Sequence, residues 1–176
     1  MEDARNVIDR YKGWSHEDIV ADLDKSRLGL HVAIENLAHD FNIGTIVRNA
    51  NAWNVAGVHI VGKRKYNRRG AMCTDKYLKM YHWNDLSGFL GFCKEEGLAV
   101  FAIDNVEGSA GLASVKFPKK CAFIYGGESD GVSEEGIAAA EKVVAIEQLG
   151  STRSVNVGVA SGVTMYEYVK QWRLRA

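Results

Sequence analysis

The sequence predicts an α/β fold built on a parallel sheet, and three observations predict it. Two stretches, Leu98–Ile103 and Cys121–Tyr125, are almost continuously apolar, as strands covered on both faces must be. Segments of strand character alternate with segments whose apolar residues recur at helical spacing. The main body opens with a strand, a helix and a second strand, the unit that joins parallel neighbours.

Composition bounds the rest. A chain of 176 residues has the length of one domain with a sizeable core. Its 22 Lys and Arg balance 22 Asp and Glu, so no global field draws it to a polyanion and such a partner must be met by a local patch. Cys73, Cys93 and Cys121 lack C-x-x-C or metal-ligand spacing. They read as reduced, buried or half-buried thiols, and no metal is expected. The stretch Met1 to Asn6 is charged, with no apolar run after it; the expectation is a soluble cytoplasmic protein with no signal peptide and no membrane span.

Taken in order, residues 1–26 predict a helical extension: one short helix near Asp3 to Tyr11 and a second opening at Ser15, where Asp18 three residues on suggests a capping box. Residues 27–176 predict one domain, without internal repeat or linker. Its first strand is Leu28–Glu35 and its first helix Gly44–Asn54, with Ile43, Ile46, Val47, Ala50 and Trp53 on one apolar face. Arg48 falls outside that stripe. Helical side chains lean toward the amino terminus, so Arg48 is expected to lie back over Gly44 and reach toward Asn42 in the mouth of the preceding loop. A surface arginine is ordinarily a solvated charge, but this one follows the carboxyl end of a parallel strand, where α/β sheets bind ligands.

Val55–Gly62 is the second strand. Lys63, Arg64, Lys65, Arg68 and Arg69 then surround Tyr66 in a short basic loop, with Lys76 and Lys79 following. Such a run is either a solvated loop or a phosphate-tracking patch with a stacking ring. Tyr77–Trp83 has strand character, Asn84 and Asp85 cap a helix to Glu96, and Gly97 ends it. After Cys121–Tyr125 come Gly126, Gly127 and Gly131, which let the backbone press close to a ligand. Ser133 opens another helix, and Val143–Ile146 is the last strand.

The stretch after that strand organises the chain. Gly150, Ser151 and Thr152 make a polar turn, and from Val155 onward Val159, Val163, Tyr166 and Val169 recur at helical spacing and predict a buried stripe. Ser154 is the expected N-cap, with Asn156 as a polar residue of the first turn. Such a start presents unpaired donors and can hold a polar ligand; the same residue types also open ordinary helices. Gly158, Ala160, Ser161 and Gly162 predict a close approach by another backbone.

Gly127 to Gly131 satisfies G-x-S-x-G, but a hydrolase of that kind needs a histidine later in the chain, and all five histidines come earlier. No dinucleotide or P-loop glycine pattern is present.

Three segments, Asn42 to Arg48, Phe123 to Gly131, and Ile146 to Asn156 with its helix, resemble in order and spacing the SpoU (TrmH-like) branch of the SPOUT RNA methyltransferases. The resemblance covers about residues 28–172. It implies a deep carboxyl-terminal trefoil knot, a homodimer with the small residues of the last helix at the subunit contact, and transfer of a methyl group from S-adenosyl-L-methionine to a ribose 2′-hydroxyl of tRNA or rRNA. Arg48 matches the family's essential arginine, with Asn42, Glu128, Ser154 and Asn156 at its other polar site positions. Ile103, Gly126, Gly127, Ile146, Leu149, Ser154 and Val155 match positions that hold the cofactor. The chain departs from the family at Glu147, where proline is usual, and at Val155, where leucine is usual. It lacks the long RNA-binding extensions of some members, which leaves residues 1–26 and the basic 63–79 segment to meet RNA. Within this resemblance Arg48 is either the base or, as a guanidinium that gives up protons reluctantly, the group that binds a phosphate and stabilises the developing alkoxide. A knotted RNA-binding scaffold without catalysis and methylation of a base nitrogen remain as alternatives.

Overall fold

Alternate residues of Cys121–Tyr125 are buried against opposite layers, which is why this run carries no charge. The computed structural model describes residues 3–35, 40–127 and 130–174. After helix α1 (His16–Asp24) come strand β1 (Leu30–Glu35), helix α2 (Asp40–Ala52), β2 (Gly57–Val61), β3 (Met80–Trp83), α3 (Leu86–Glu96) and β4 (Ala99–Ile103). The chain continues through β5 (Ala110–Gly111), β6 (Cys121–Tyr125), α4 (Glu134–Ala139), β7 (Lys142–Ala145) and α5 (Val157–Val169). The strands pair in the order β3-β2-β1-β6-β4-β7-β5, and every pairing is parallel.

Cys121, Phe123 and Tyr125 of β6 meet Met165 and Tyr168 of α5 and the Ile46 face of α2. Ala122 and Ile124 face Phe89 and Cys93 of α3. Two buried phenols tie α5 to this frame. Tyr168 Oη donates to the Lys119 carbonyl at 2.6 Å. Thr164 spends its own proton on the Ala160 carbonyl, so the 2.6 Å contact between Tyr125 Oη and Thr164 Oγ1 has Tyr125 as donor.

Local signals placed several elements correctly. Ser15, Asp85 and Ser133 each cap a helix by accepting from a backbone N–H in its first turn, and Gly97 closes α3 at φ +65°. Tyr11 and Ile19 of the amino-terminal segment are buried beside Tyr77. Other expectations shift. Between Asp3 and Tyr11 only Asp9–Tyr11 is helical, as a 3-10 turn, and Tyr77 likewise ends a 3-10 turn, leaving β3 to start at Met80. Cys73 is exposed, whereas Cys93 and Cys121 are buried as expected.

The larger correction concerns α5. Val155, Val159, Val163 and Tyr166 are 36%, 56%, 41% and 46% exposed, and of the expected stripe only Val169 is buried. The buried face carries Gly158, Ser161 and Thr164 instead. The close approach predicted from the small residues exists, but α2 of the same chain makes it: a Cβ on Gly158 would lie 2.9 Å from Thr45 Cγ2, and Asn49 Nδ2 donates to Gly158 O and Ser161 Oγ.

Candidate active site

After β7 the chain runs back across the carboxyl ends of β4 and β6 to meet α2, a return path consistent with a knot. A cavity of about 830 Å³ lies beneath this return. Its walls are the ends of three strands (Ile103, Gly126, Val144), the returning segment (Ile146, Gln148, Arg153–Asn156) and the start of α5 (Val157, Ala160). Strand order explains its position, because β4 lies between β6 and β7 and the chain leaves all three at the same edge.

Each loop is pinned. Asp104, at the end of β4, accepts from Asn105 N with Oδ1 and from Val132 N with Oδ2, both at 2.7 Å. Gly127 and Gly131 exchange backbone hydrogen bonds of 3.1 and 2.9 Å, which hold the two glycines together. A Cβ on Gly126 would overlap the Gly131 carbonyl, and one on Gly131, at φ +68°, would meet the Asp104 carboxylate. These two glycines therefore serve chain-to-chain contact, while Gly127 faces open space. On the returning segment, Asn105 Nδ2 donates to Arg153 O at 2.9 Å, and Glu147 Oε1 accepts from Ala113 N at 3.0 Å. Glu147, where relatives of the resembled family usually carry proline, thus restrains its loop by a hydrogen bond across to the segment after β5.

The helix cap is Asn156, not Ser154. Asn156 Oδ1 accepts from Gly158 N at 2.9 Å and Val159 N at 3.3 Å. Its Nδ2 donates to Asn42 Oδ1 at 3.1 Å. The structure thereby brings Asn42 and Asn156 together from segments 114 residues apart. Ser154 is exposed in the cavity wall, where it remains available to a ligand. Asn42 lies in the first turn of α2, because that helix begins at Asp40, earlier than its glycine suggests.

Arg48 is exposed and does not line this cavity. The space over Gly44 is taken: a Cβ there would lie 2.9 Å from Gly70 Cα and Ala71 N, so residues 67–71 of the basic segment rest on α2. Gly44 and Arg48, one turn apart, share that side of the helix. Of the cofactor positions, Ile103, Gly126, Gly127, Ile146, Ser154 and Val155 line the cavity. Leu149 does not, its side chain being fully exposed. Glu128 lies outside the described residues.

Sequence reasoning passed over Gln148. Among the described residues its Oε1 is the buried side-chain atom without a hydrogen-bond partner, and the residue lines the cavity. A buried carbonyl oxygen left unpaired costs about 1–3 kcal/mol, so an amino group of a bound molecule is the natural complement. With apolar walls from Ile103, Val106, Val144 and Val157 and a volume within the usual ligand range, the cavity fits a molecule that combines an amine-bearing ring with a polar tail, as S-adenosylmethionine does. Asp104, Asn105 and Asn49 were also passed over; the first two stand directly after the most apolar run, a position the sheet rule could have flagged.

The basic segment divides. Lys63, Arg64, Lys65 and Arg69 are exposed, whereas Arg68 pairs with the buried carboxylate of Asp75. Tyr66 is half-buried against the core, not a free ring.

Comparison with known proteins gives a consistent picture. A model described as the SpoU rRNA Methylase family matches residues 29–166. The tRNA (guanosine(18)-2'-O)-methyltransferase of Thermus thermophilus is 34% identical over 152 residues, spanning 84% of this chain and 77% of the relative. The crystal structure of the Aquifex aeolicus TrmH/SpoU tRNA-modifying enzyme superposes with a TM-score of 0.79 at 26% identity, covering 89% of this chain and 81% of that one. The AviRb methyltransferase of Streptomyces viridochromogenes, solved with AdoMet, shares the fold, with a TM-score of 0.75 at 20% identity over 86% of this chain and 60% of that one.

Proposed function

The chain belongs to the SpoU rRNA methylase family, and on that premise we propose that it methylates a ribose 2′-hydroxyl of tRNA or rRNA with S-adenosyl-L-methionine as donor. The observation that supports the reading is the Gln148-lined cavity under the returning chain, whose walls include Ile103, Gly126, Gly127, Ile146, Ser154 and Val155. When bound, the cofactor supplies an electrophilic sulfonium methyl, so the protein has only to hold, orient and manage charge. Gln148 would hold the ring amine of the cofactor, and the strand ends with Val155 would enclose its apolar part. Asn42 and Asn156 fix the junction between α2 and α5, and with it the place of the helix that carries Arg48. Arg48 binds the phosphate next to the reacting ribose and stabilises the 2′-oxygen as its proton passes to solvent water, a task suited to a guanidinium with no ion-pair partner among the described residues. The knot, Glu128 as an orienting carboxylate, and contact of the extension 1–26 with RNA belong to the same proposal, as does cytoplasmic residence, which three free cysteines suit.

The working form is a homodimer. Val159, Val163 and Tyr166 form an exposed apolar stripe on one side of α5, and water-facing apolar stripes are covered by partners. A second copy covers it with an equivalent stripe about a two-fold axis. Val159→Glu with Val163→Glu should convert the dimer to monomer in sedimentation velocity; an unchanged wild-type monomer would remove the proposal.

Calorimetry with S-adenosylmethionine, followed by mass spectrometry of tRNA and rRNA from a deletion strain, tests the central reading. Cofactor binding together with loss of one 2′-O-methyl mark is the expected result. Loss of a base methylation instead would move the acceptor to nitrogen, and absence of cofactor binding would leave a scaffold.

A further inference from the structure

A second concavity, of about 560 Å³, lies at the β3 edge of the sheet, away from the cofactor cavity. Ile60 of β2 and Met80 of β3 give it an apolar floor, and the loop after β2 folds over it. That loop is seated: residues 67–71 rest against Gly44 of α2, on the side of the helix that carries Arg48.

The groups around it divide into three kinds. Arg64 and Lys65 are exposed cations of the lining without an acidic partner among the described residues. Arg68 is spent on Asp75, so the free positive charge comes from the first two. Tyr66 supplies a half-buried ring at the margin of the floor, while the Tyr81 ring lies on the opposite face of the sheet, stacked on His59 with centroids 4.6 Å apart and beside Phe92. His82 Nε2 donates to Gly62 O at 2.8 Å, which fixes the ring at the pocket margin. Two free cations beside an apolar floor with the Tyr66 ring at its margin match a phosphate and a base face. A patch that only steered a polyanion would need the charges but not the cavity.

We propose that this pocket takes one unstacked nucleotide of the substrate RNA, its phosphate against Arg64 and Lys65 and its base on the Ile60 and Met80 floor beside the Tyr66 ring. The proposal rests on the reading that the substrate is RNA and adds where a second nucleotide is held. β2 and β4 are three strand spacings apart, roughly 14 Å, so one RNA strand can occupy this pocket while its reacting ribose stands at the cofactor cavity. Recognition of splayed bases by stacking is the usual way single-stranded RNA is held.

Met80→Trp fills the cavity without changing charge, and Arg64→Gln with Lys65→Gln removes charge without filling it. Binding of the full-length protein to an unstructured hexaribonucleotide and to a 16-base-pair RNA duplex is measured by fluorescence anisotropy, with S-adenosylmethionine calorimetry in parallel. Both variants should weaken hexanucleotide binding about tenfold, the scale of one stacked base, and only the charge variant should weaken duplex binding. Unchanged hexanucleotide affinity for Met80→Trp, in protein that still binds the cofactor, would overturn the pocket. Should that variant not fold, photocrosslinking of the wild-type protein with a 4-thiouridine hexanucleotide decides: adducts on Tyr66 or Met80 support the proposal, and adducts confined to other segments overturn it. Because these readouts do not depend on methyl transfer, a wild-type protein that binds RNA here but not the cofactor would refute the enzymatic reading alone.

Discussion

Asn156 Nδ2 donates to Asn42 Oδ1 at 3.1 Å while Asn156 Oδ1 caps α5, so one amide joins the cavity wall to α2 and starts the last helix. The geometry also fixes which way the amide points: backbone N–H groups require the oxygen, and the asparagine oxygen requires the nitrogen. Asn156→Ala should lose about 1 kcal/mol of stability from the cap alone and weaken cofactor binding. Asn156→Asp keeps the cap and adds a favourable charge at the helix start, so it should melt near wild type while still losing activity. Equal melting of Ala and wild type would show that the cap contributes nothing.

Arg48 stands outside the cavity lining, so its removal should separate binding from chemistry. Arg48→Ala is expected to keep cofactor affinity within about twofold and to lose about 10²–10³ in kcat, the scale for deleting one oxyanion-stabilising group. Arg48→Lys keeps charge but not the fork and should recover little. Retained turnover in Arg48→Ala would take this residue out of the mechanism.

Gln148 provides a direct test of what the cavity holds. Gln148→Leu removes the unpaired oxygen without changing much volume, so the apoprotein should be as stable as wild type or slightly more so. Cofactor affinity should fall about tenfold, and the loss should vanish for an analogue lacking the ring amino group. An equal loss for both molecules would mean that Gln148 does not meet that amine.

Burial pushes the His59 imidazole down to about 3 and that of His31 down to about 4. Trp83 Nε1 donates to His59 Nδ1 at 2.9 Å, so His59 carries its proton on Nε2 and donates it to His31 Nδ1, also at 2.9 Å. Both rings fold neutral, whereas the unfolded chain protonates them near pH 6.5. Protons thus bind the unfolded state more strongly, and stability present above pH 6.5 is lost as pH falls toward the folded-state values. At pH 5 the loss from His59 is about 2 kcal/mol. Urea unfolding at pH 7.5 and pH 5 should show it, and His59→Phe should flatten the difference. A wild type equally stable at both would contradict the buried neutral pair.

The sequence by itself determined what local chemistry decides: the parallel strands, legible as apolar runs because both faces of β4 and β6 are covered, and the caps at Ser15, Asp85 and Ser133, each set by a side chain a few residues from its target. It also carried the three site segments as patterns of residues. The tertiary structure decided which face of α5 goes inside. Periodicity shows that Val155, Val159, Val163 and Tyr166 share a side, yet the opposite side is buried, because Ser161 and Thr164 return their protons to helix carbonyls and meet Asn49 and Tyr125. Small hydroxyls satisfied in this way can enter a core that their polarity alone would bar. The same holds for Gly44 under the basic loop and for Asn156 against Asn42. Contacts between residues far apart in the chain leave no spacing to read, and only the folded path brings them into register.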